Sequence, residues 1–167
     1  MTAKLQTLRD SAAMRWIALL LLALAMFCSY IFMDILSPIK DLMESERGWD
    51  STAFGTMQGA ETFLNVFVFF LIFAGIILDK MGVRFTAVLS GVVMLIGAGI
   101  KYYAISSAFS GSSVEVWFTE HLNYIPLFDE LGVSPFYEGM PASAKVAAIG
   151  FMIFGCGTEM GGITVSR

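Results

Sequence analysis

Long runs of apolar residues without a charged side chain constrain this chain more than any other feature. The run from Trp16 to Met33 has eighteen residues and no charge. A bilayer has a hydrocarbon core of about 30 Å, which a helix of about 20 apolar residues crosses. Of the 167 residues, 57% are hydrophobic and only 14% are charged, against about a quarter charged in soluble domains. The sequence therefore predicts an all-α membrane protein.

Four apolar runs follow one another, and each predicts a transmembrane helix. They are Trp16–Met33, Ser51–Leu78, Phe85–Ile100 and Val146–Ser166. Ser51 or Thr52 is expected to cap the second helix. Lys101, Tyr102 and Tyr103 extend the third run. Because long and amphipathic side chains are favoured where a span meets water, we expect these three residues at the membrane interface.

The positions of Lys and Arg predict the orientation, because positive residues near the ends of spans are retained in the cytoplasm. Most of them lie in the short segments that are cytoplasmic when the N-terminus is inside: Lys4, Arg9, Arg15, Lys80, Arg84 and Arg167. Both termini are therefore expected in the cytoplasm. The chain then divides into a cytoplasmic segment (1–15), transmembrane helices 1–3 (16–105), an extracytoplasmic loop (106–144) and transmembrane helix 4 (145–167). We expect an integral multi-pass protein of the cell (inner) membrane.

The loop between the second and third runs carries the most specific motif, Gly75-Ile76-Ile77-Leu78-Asp79-Lys80-Met81-Gly82-Val83-Arg84. Gly75 lets another helix approach closely, and Gly82 permits the positive φ of a short reversal. Asp79 is an anion that can hold a helix N-terminus or pair with an Arg. The motif resembles the loop signature of the major facilitator superfamily. The resemblance implies a conformational latch that includes Asp79, Lys80 and Arg84, and the alternative is a plain interfacial turn.

Shorter matches are similar to a branch of that superfamily that includes lysosomal carriers of short peptides. They are Arg15-Trp16, Ser29-Tyr30, Asp34, Asn65 and Phe154-Gly155-Cys156-Gly157-Thr158-Glu159. Two positions depart from the branch, since Leu64 stands in place of Pro and Phe151 in place of Arg. A proton-coupling role of that arginine is therefore not carried over. The resemblance implies that the chain forms the first four helices of a twelve-helix major-facilitator fold.

Three carboxylates lie within or at the end of the expected spans, namely Asp34, Glu61 and Glu159. An ionisable group inside a bilayer costs about 2.5–3.5 kcal/mol on insertion scales, so each is a functional candidate. Asp34 and Glu61 are expected near the outer interface. Each carboxylate there can either be solvated by water or contact the substrate or a proton, and both interpretations stay open. Glu159 is about 12 Å from Arg167 along a helix. We expect it to hold a substrate ammonium or a proton, and the alternative is an internal hydrogen bond.

Two Gly-x-x-x-Gly pairs predict close helix packing. Gly55 pairs with Gly59, and Gly157 pairs with Gly161. Small residues at this spacing lie on one face of a helix and let a second backbone come near. We expect both pairs to contact neighbouring helices.

The residue types and their spacing exclude several classes of function. There is no Ser/His/Asp or Cys/His constellation, no metal-ligand spacing and no phosphate-binding loop, so we expect no enzyme, metal or cofactor. The net charge is −4 without a basic run, which excludes nucleic acid as a partner.

With the resemblance, the expected function is secondary active transport of a small solute by alternating access. The substrate expected is a dipeptide or similar zwitterion, moved by proton symport. Asp34, Glu61, Asn65 and Glu159 are the expected substrate or proton residues. The partners would be the solute, the lipid bilayer and the remaining C-terminal helices of the same fold.

Two alternatives stay open. The chain can be a complete four-helix scaffold or small oligomeric channel, with the three carboxylates at an assembly interface. It can also be a truncated fragment without function, because four helices do not enclose a pathway between two bundles. The gene sequence beyond Arg167 separates these alternatives from a carrier with about eight more spans.

Overall fold

The computed structural model describes residues 11–165, and every regular element in this part of the chain is a helix. The elements are α1 (Ala12–Asp34), a 3-10 turn (Ser37–Ile39), α2 (Lys40–Arg47), α3 (Ser51–Phe67), α4 (Phe70–Ile105), α5 (Ser113–Glu120), α6 (Pro126–Glu130) and α7 (Ala142–Val165). Three described segments are long and apolar enough to cross a membrane: Ala12–Arg47, Phe70–Ile105 and Ala142–Val165. The all-helical prediction is confirmed, and a membrane protein is indicated. Lys4, Arg9 and Arg167 lie outside the described residues.

The second expected span, Ser51–Leu78, is not one continuous helix. α3 ends at Phe67, and Phe69 adopts the left-handed conformation with φ 54° and ψ 37°. This backbone costs a residue with a Cβ of order 1 kcal/mol or more. The break has no signal in hydropathy, since Val68 and Phe69 are as apolar as their neighbours.

The central helix of the bundle is α7. It is largely buried, whereas only a small share of α1 and α4 is buried. Its glycines bring other helices into backbone contact: a Cβ added to Gly150 would lie 2.7 Å from the backbone N of Lys101. A Cβ on Gly155 would overlap the carbonyl group of Glu61. Helices in lipid gain little from the hydrophobic effect, so this close approach supplies the van der Waals attraction that joins them.

Contacts along α7 show that α3 runs parallel to it. Trp49, which precedes α3 and is fully buried, donates from Nε1 to Ser143 Oγ at 2.8 Å. Further along, the backbone of Glu61 lies against Gly155. In each pair, the two residues are 94 positions apart in sequence. The residues of α3 and α7 that face each other therefore keep the same offset along both helices.

The second half of α4 runs antiparallel to α7. Lys101 faces Gly150, and Ser90 faces Gly157. Residue numbers therefore increase along α7 in the direction in which they decrease along α4. The chain therefore reverses between α3 and this half of α4. Gly82 lies in that stretch and interrupts α4 with φ 82° and ψ 165°. The positive φ predicted for Gly82 is confirmed.

Close packing is found at one of the two Gly-x-x-x-Gly pairs. A Cβ on Gly157 would lie 2.7 Å from the backbone N of Met94, and one on Gly161 would lie 3.3 Å from Met26 Sδ. At three other glycines expected to meet a neighbour, nothing in the described chain lies within 4 Å of an added Cβ: Gly55, Gly59 and Gly75. The prediction is therefore confirmed in α7 and not met at these three positions.

The N-cap of α3 is Asp50, so the expectation of Ser51 or Thr52 is wrong. Asp50 Oδ1 accepts from the backbone N of Ala53 at 2.7 Å and from the Tyr137 hydroxyl at 3.0 Å. These bonds lower the pKa of Asp50, and burial together with Asp50 raises the pKa of Tyr137 to about 12. Because the pKa is lowered on folding, Asp50 stabilises the folded chain when ionised, and acidification through that pKa removes the contribution.

Cations from other elements cap the C-termini of α4 and α5. Arg47 donates from Nη2 to the carbonyl of Ile105 at 2.7 Å. Lys145 Nζ donates to the carbonyls of Phe118 at 2.8 Å and His121 at 3.2 Å. The last carbonyls of a helix have no partner within it and carry partial negative charge, so these cations stabilise the helix ends.

Replacement of Gly155 by Ala tests the central packing. The new Cβ would overlap the Glu61 backbone, so α3 and α7 must separate, and we expect a loss of about 1–3 kcal/mol as in other overpacked sites. Thermal unfolding in nanodiscs measures the loss. Gly99→Ala is the matched control, because no described residue lies within 4 Å of its added Cβ, and it should not lower Tm. Equal Tm values for the two variants would contradict the close approach.

Candidate functional site

Three polar side chains form a stripe on one face of α3. Gln58, Glu61 and Asn65 are spaced i, i+3 and i+7, which places them above one another on a helix. This face lies toward α7 and α1, because Glu61 Cγ would be 2.9 Å from a Cβ added to Gly155 and Gln58 bonds to the backbone of Met33. We call these three residues the polar stripe. Glu61 and Asn65 were expected in the site, whereas Gln58 was missed, although the spacing points to it.

Several amide atoms of the polar stripe are buried without a hydrogen-bond partner. Gln58 Nε2 donates to the carbonyl of Met33 at 3.4 Å, but Gln58 Oε1 has no partner among the described residues. Within residues 11–165, both amide atoms of Asn65, Nδ2 and Oδ1, also lack a hydrogen-bond partner. An unsatisfied buried polar group costs about 1–3 kcal/mol, so it calls for an explanation such as a bound solute or water.

Glu159 lies beside the polar stripe on the neighbouring helix. It follows Gly155 by one helical turn and shares its face of α7. Because α3 and α7 are parallel with a shift of 94 residues, Asn65 lies level with Glu159. Glu61 and Glu159 are both half-buried, and their charges repel one another. The structure thus brings together three of the four residues expected at the substrate or proton site.

Asp34, the fourth expected residue, occupies the edge of this region. It is the last residue of α1, and its side chain is exposed. Its charge acts on Glu61 by repulsion and on Lys101 by attraction. Asp34 therefore contributes to the field of the site from the solvent-accessible end of α1.

Lys101 is buried beside the polar stripe, whereas we expected its long side chain to extend into the membrane interface. Its side chain is 2% exposed, and Nζ donates to the carbonyl of Phe32 at 3.3 Å. The ammonium lies 3.8 Å from the ring centroid of Phe151 and 4.6 Å from that of Phe32. The backbone contact with Gly150 draws this part of α4 into the bundle. A positive charge thus lies over Phe151, where the resemblance would have an arginine.

The residues expected to form a latch lie far from the polar stripe. Asp79, Lys80 and Arg84 are exposed around the reversal at Gly82. Along α4, Arg84 and Lys101 are seventeen residues apart, which is about 26 Å at 1.5 Å per residue. The loop and the polar stripe are therefore two separate regions.

The site combines groups of opposite charge with uncharged amides in an otherwise apolar bundle. Carboxylates accept from an ammonium group or hold a proton, the Asn and Gln amides donate and accept, and a lysine donates to a carboxylate. No family model, curated protein or solved structure matches this chain. The chemistry of these side chains is therefore the basis for assigning a function.

Replacement of Asn65 by Leu tests whether its amide serves the fold or a ligand. Since both amide atoms lack partners in the part of the chain that the structure describes, an apolar side chain of similar size should preserve or raise Tm. Asn123→Leu is the matched control, because Asn123 Oδ1 accepts from Lys145 Nζ at 2.8 Å, and its loss should lower Tm. Thermal unfolding of both variants in nanodiscs measures the difference. An equal fall in Tm at both positions would mean that Asn65 stabilises the fold through partners of its own.

Proposed function

We propose that the protein takes part in secondary active transport, moving a small zwitterionic solute such as a dipeptide across a membrane by alternating access with proton symport. The observation that carries the proposal is the set of unpaired buried amide atoms beside two half-buried carboxylates and a buried lysine. These groups occur in a bundle in which three described segments, those containing α1, α4 and α7, are long and apolar enough to span a membrane. Polar and ionisable groups inside a membrane cost free energy, and they commonly mark the pathway of a solute or a proton.

Glu159 and Glu61 have complementary roles in this proposal. Two carboxylates that repel one another favour a proton or a cation between them, because either removes the repulsion. Glu159 holds the ammonium group of the solute or the coupled proton, and Glu61 is its partner across the α3–α7 contact. The amide of Asn65, level with Glu159, supplies the donor and acceptor that orient the solute.

The proposal extends to the arrangement of the whole carrier. In it, this chain is the first four-helix part of a major-facilitator fold with both termini in the cytoplasm. Asp79, Lys80 and Arg84 form the cytoplasmic latch around Gly82, whose positive φ suits so short a reversal. The exposed apolar faces of α1 and α4 contact lipid and the remaining helices.

The experiment replaces Glu159 by Gln in the full gene product and measures uptake of labelled alanyl-leucine by proteoliposomes under a proton gradient. We expect uptake to fall by at least about tenfold, since a buried carboxylate that binds a cation or proton typically contributes 1.4 kcal/mol or more. Glu44→Gln is the control, because Glu44 is an exposed acid on α2 and should leave uptake unchanged. Membrane insertion should be the same for both variants.

Unchanged uptake by the Glu159→Gln protein would refute the role of this carboxylate. If the wild type takes up no solute and cross-links in membranes as a defined homo-oligomer, the scaffold or channel alternative replaces the carrier. The same carboxylates would then lie at the assembly interface.

A further inference from the structure

The chain between α5 and α7 is fixed at two points to the same end of the bundle. Near α5, Asn123 Oδ1 accepts from Lys145 Nζ at 2.8 Å, and nearer α7 the Tyr137 hydroxyl donates to Asp50 Oδ1 at 3.0 Å. Asp50 is the N-cap of α3, and Lys145 lies in the first turn of α7. Because α3 and α7 are parallel, both fixed points lie where these two helices begin.

Between these points, residues 125–134 form a closed unit that we call the plug loop. The backbone N of Ile125 donates to Ser134 Oγ at 3.4 Å, so the two ends of the plug loop meet. The plug loop contains α6, whose end is closed by a hydrogen bond from the backbone N of Val133 to the carbonyl of Phe128 at 2.9 Å. A loop that closes on itself in this way keeps a compact shape.

Phe128 holds the plug loop against α3, far from the first residue of that helix. Its ring centroid lies 4.8 Å from that of Phe63 and 5.9 Å from that of Phe67, and both contacts are edge-to-face. Phe63 and Phe67 are 12 and 16 residues past Ser51, which corresponds to about 18 and 24 Å of helix. Aromatic rings in this geometry attract one another, so Phe128 anchors the plug loop at that depth.

The depth of this anchor falls inside a segment that can cross a membrane. With the offset of 94 between α3 and α7, Phe63 is level with Gly157. Gly157 is 15 residues past Ala142, within the candidate span Ala142–Val165. The plug loop therefore extends from the end of the bundle toward the middle of the expected membrane.

Two features of the plug loop disagree with lipid at this depth. Asp129 and Glu130 follow Phe128 directly, and both side chains are exposed. A carboxylate exposed to hydrocarbon costs free energy, and such groups face a protein interior or a water-filled cavity. After α6, residues 131–141 contain no regular element, and irregular backbone at membrane depth needs protein or water around it. Water on the free side of the plug loop meets both requirements.

The plug loop and the polar stripe lie on opposite sides of α3. Phe63 follows Glu61 by two positions, and Phe67 follows Asn65 by two positions. At 3.6 residues per turn, two positions correspond to a rotation of about 200° around the helix. Water that reaches the plug loop is therefore separated by α3 from the region assigned to the solute.

We propose that the plug loop is re-entrant: it inserts along α3 to the level of Phe63, and its free side faces a water-filled vestibule that opens where α3 begins. Asp129 and Glu130 are solvated in this vestibule. Phe128 keeps the loop inserted, and the contacts of Asn123 and Tyr137 hold its two ends at the opening. The inference goes beyond the transport proposal, because it concerns the access of water and requires no solute.

Distances between spin labels in nanodiscs test the depth of the plug loop. In the full gene product with its native cysteines replaced, Glu130→Cys carries one label, and Val66→Cys or Thr52→Cys carries the second. Val66 and Thr52 are both exposed on one side of α3, 14 residues or about 21 Å apart. We expect position 130 to be nearer to position 66 than to position 52. The opposite order would place the loop at the surface of the bundle and overturn the inference.

Collisions of the label at position 130 with paramagnetic reagents test for water. Leu95→Cys is the matched control, because Leu95 is 75% exposed on α4 and follows Met94, whose backbone meets Gly157 at the level of Phe63. A water-soluble nickel chelate should relax the label at position 130 several-fold more strongly than the one at position 95. Molecular oxygen, which concentrates in lipid, should show the reverse. If both labels prefer oxygen, lipid faces the plug loop and there is no vestibule.

Replacement of Phe128 by Ala tests the anchor. The variant loses both ring contacts with α3, so the distance between positions 130 and 66 should become longer and more broadly distributed. Leu127→Ala is the control, because Leu127 is 65% exposed and its loss should leave the distance unchanged. An unchanged distance in the Phe128→Ala protein would refute the anchor. No solute enters these measurements, so a failure to take up alanyl-leucine would refute transport and leave the vestibule standing.

Discussion

The contact of the α7 glycines with the backbones of α3 and α4 is the interaction on which the rest of the structure depends. Gly150 lies against the backbone of Lys101, and Gly155 lies against that of Glu61. Without a Cβ at these positions, the helix axes come closer than ordinary side chains allow. This closeness carries polar residues of α3 and α4 out of reach of solvent, so the packing that holds the helices together also creates the polar interior.

The polar groups of the bundle fall into two kinds. At the end where α4 and α5 terminate, Arg47 and Lys145 satisfy helix carbonyls, and their charges are used by the fold. Between α1, α3 and α7, by contrast, Asn65 and Gln58 have atoms, and Lys101 has donors, that find no partner in residues 11–165. The unpaired groups therefore lie together in the region to which the transport proposal assigns the solute.

Much of the candidate site follows from the sequence, because charges within apolar runs are visible without a structure. Glu61, Glu159 and Asn65 stand out in this way, and Gln58 would have joined them from its i, i+3, i+7 spacing. Lys101 had no comparable signal. It ends an apolar run beside two tyrosines, which is also the pattern of an interfacial lysine. Its burial depends on the distance between α4 and α7, which cannot be predicted from the residues next to Lys101 in the sequence.

The sequence by itself determined that the chain is helical and apolar enough for a membrane, and that Gly82 would take a positive φ. Hydropathy and the freedom of glycine are local properties, so they can be read from neighbouring residues. Only the tertiary structure decided the hydrogen bond from Tyr137 to Asp50 and the burial of Lys101. These depend on the register and separation of helices far apart in sequence, which are set by backbone contacts at glycines such as Gly155.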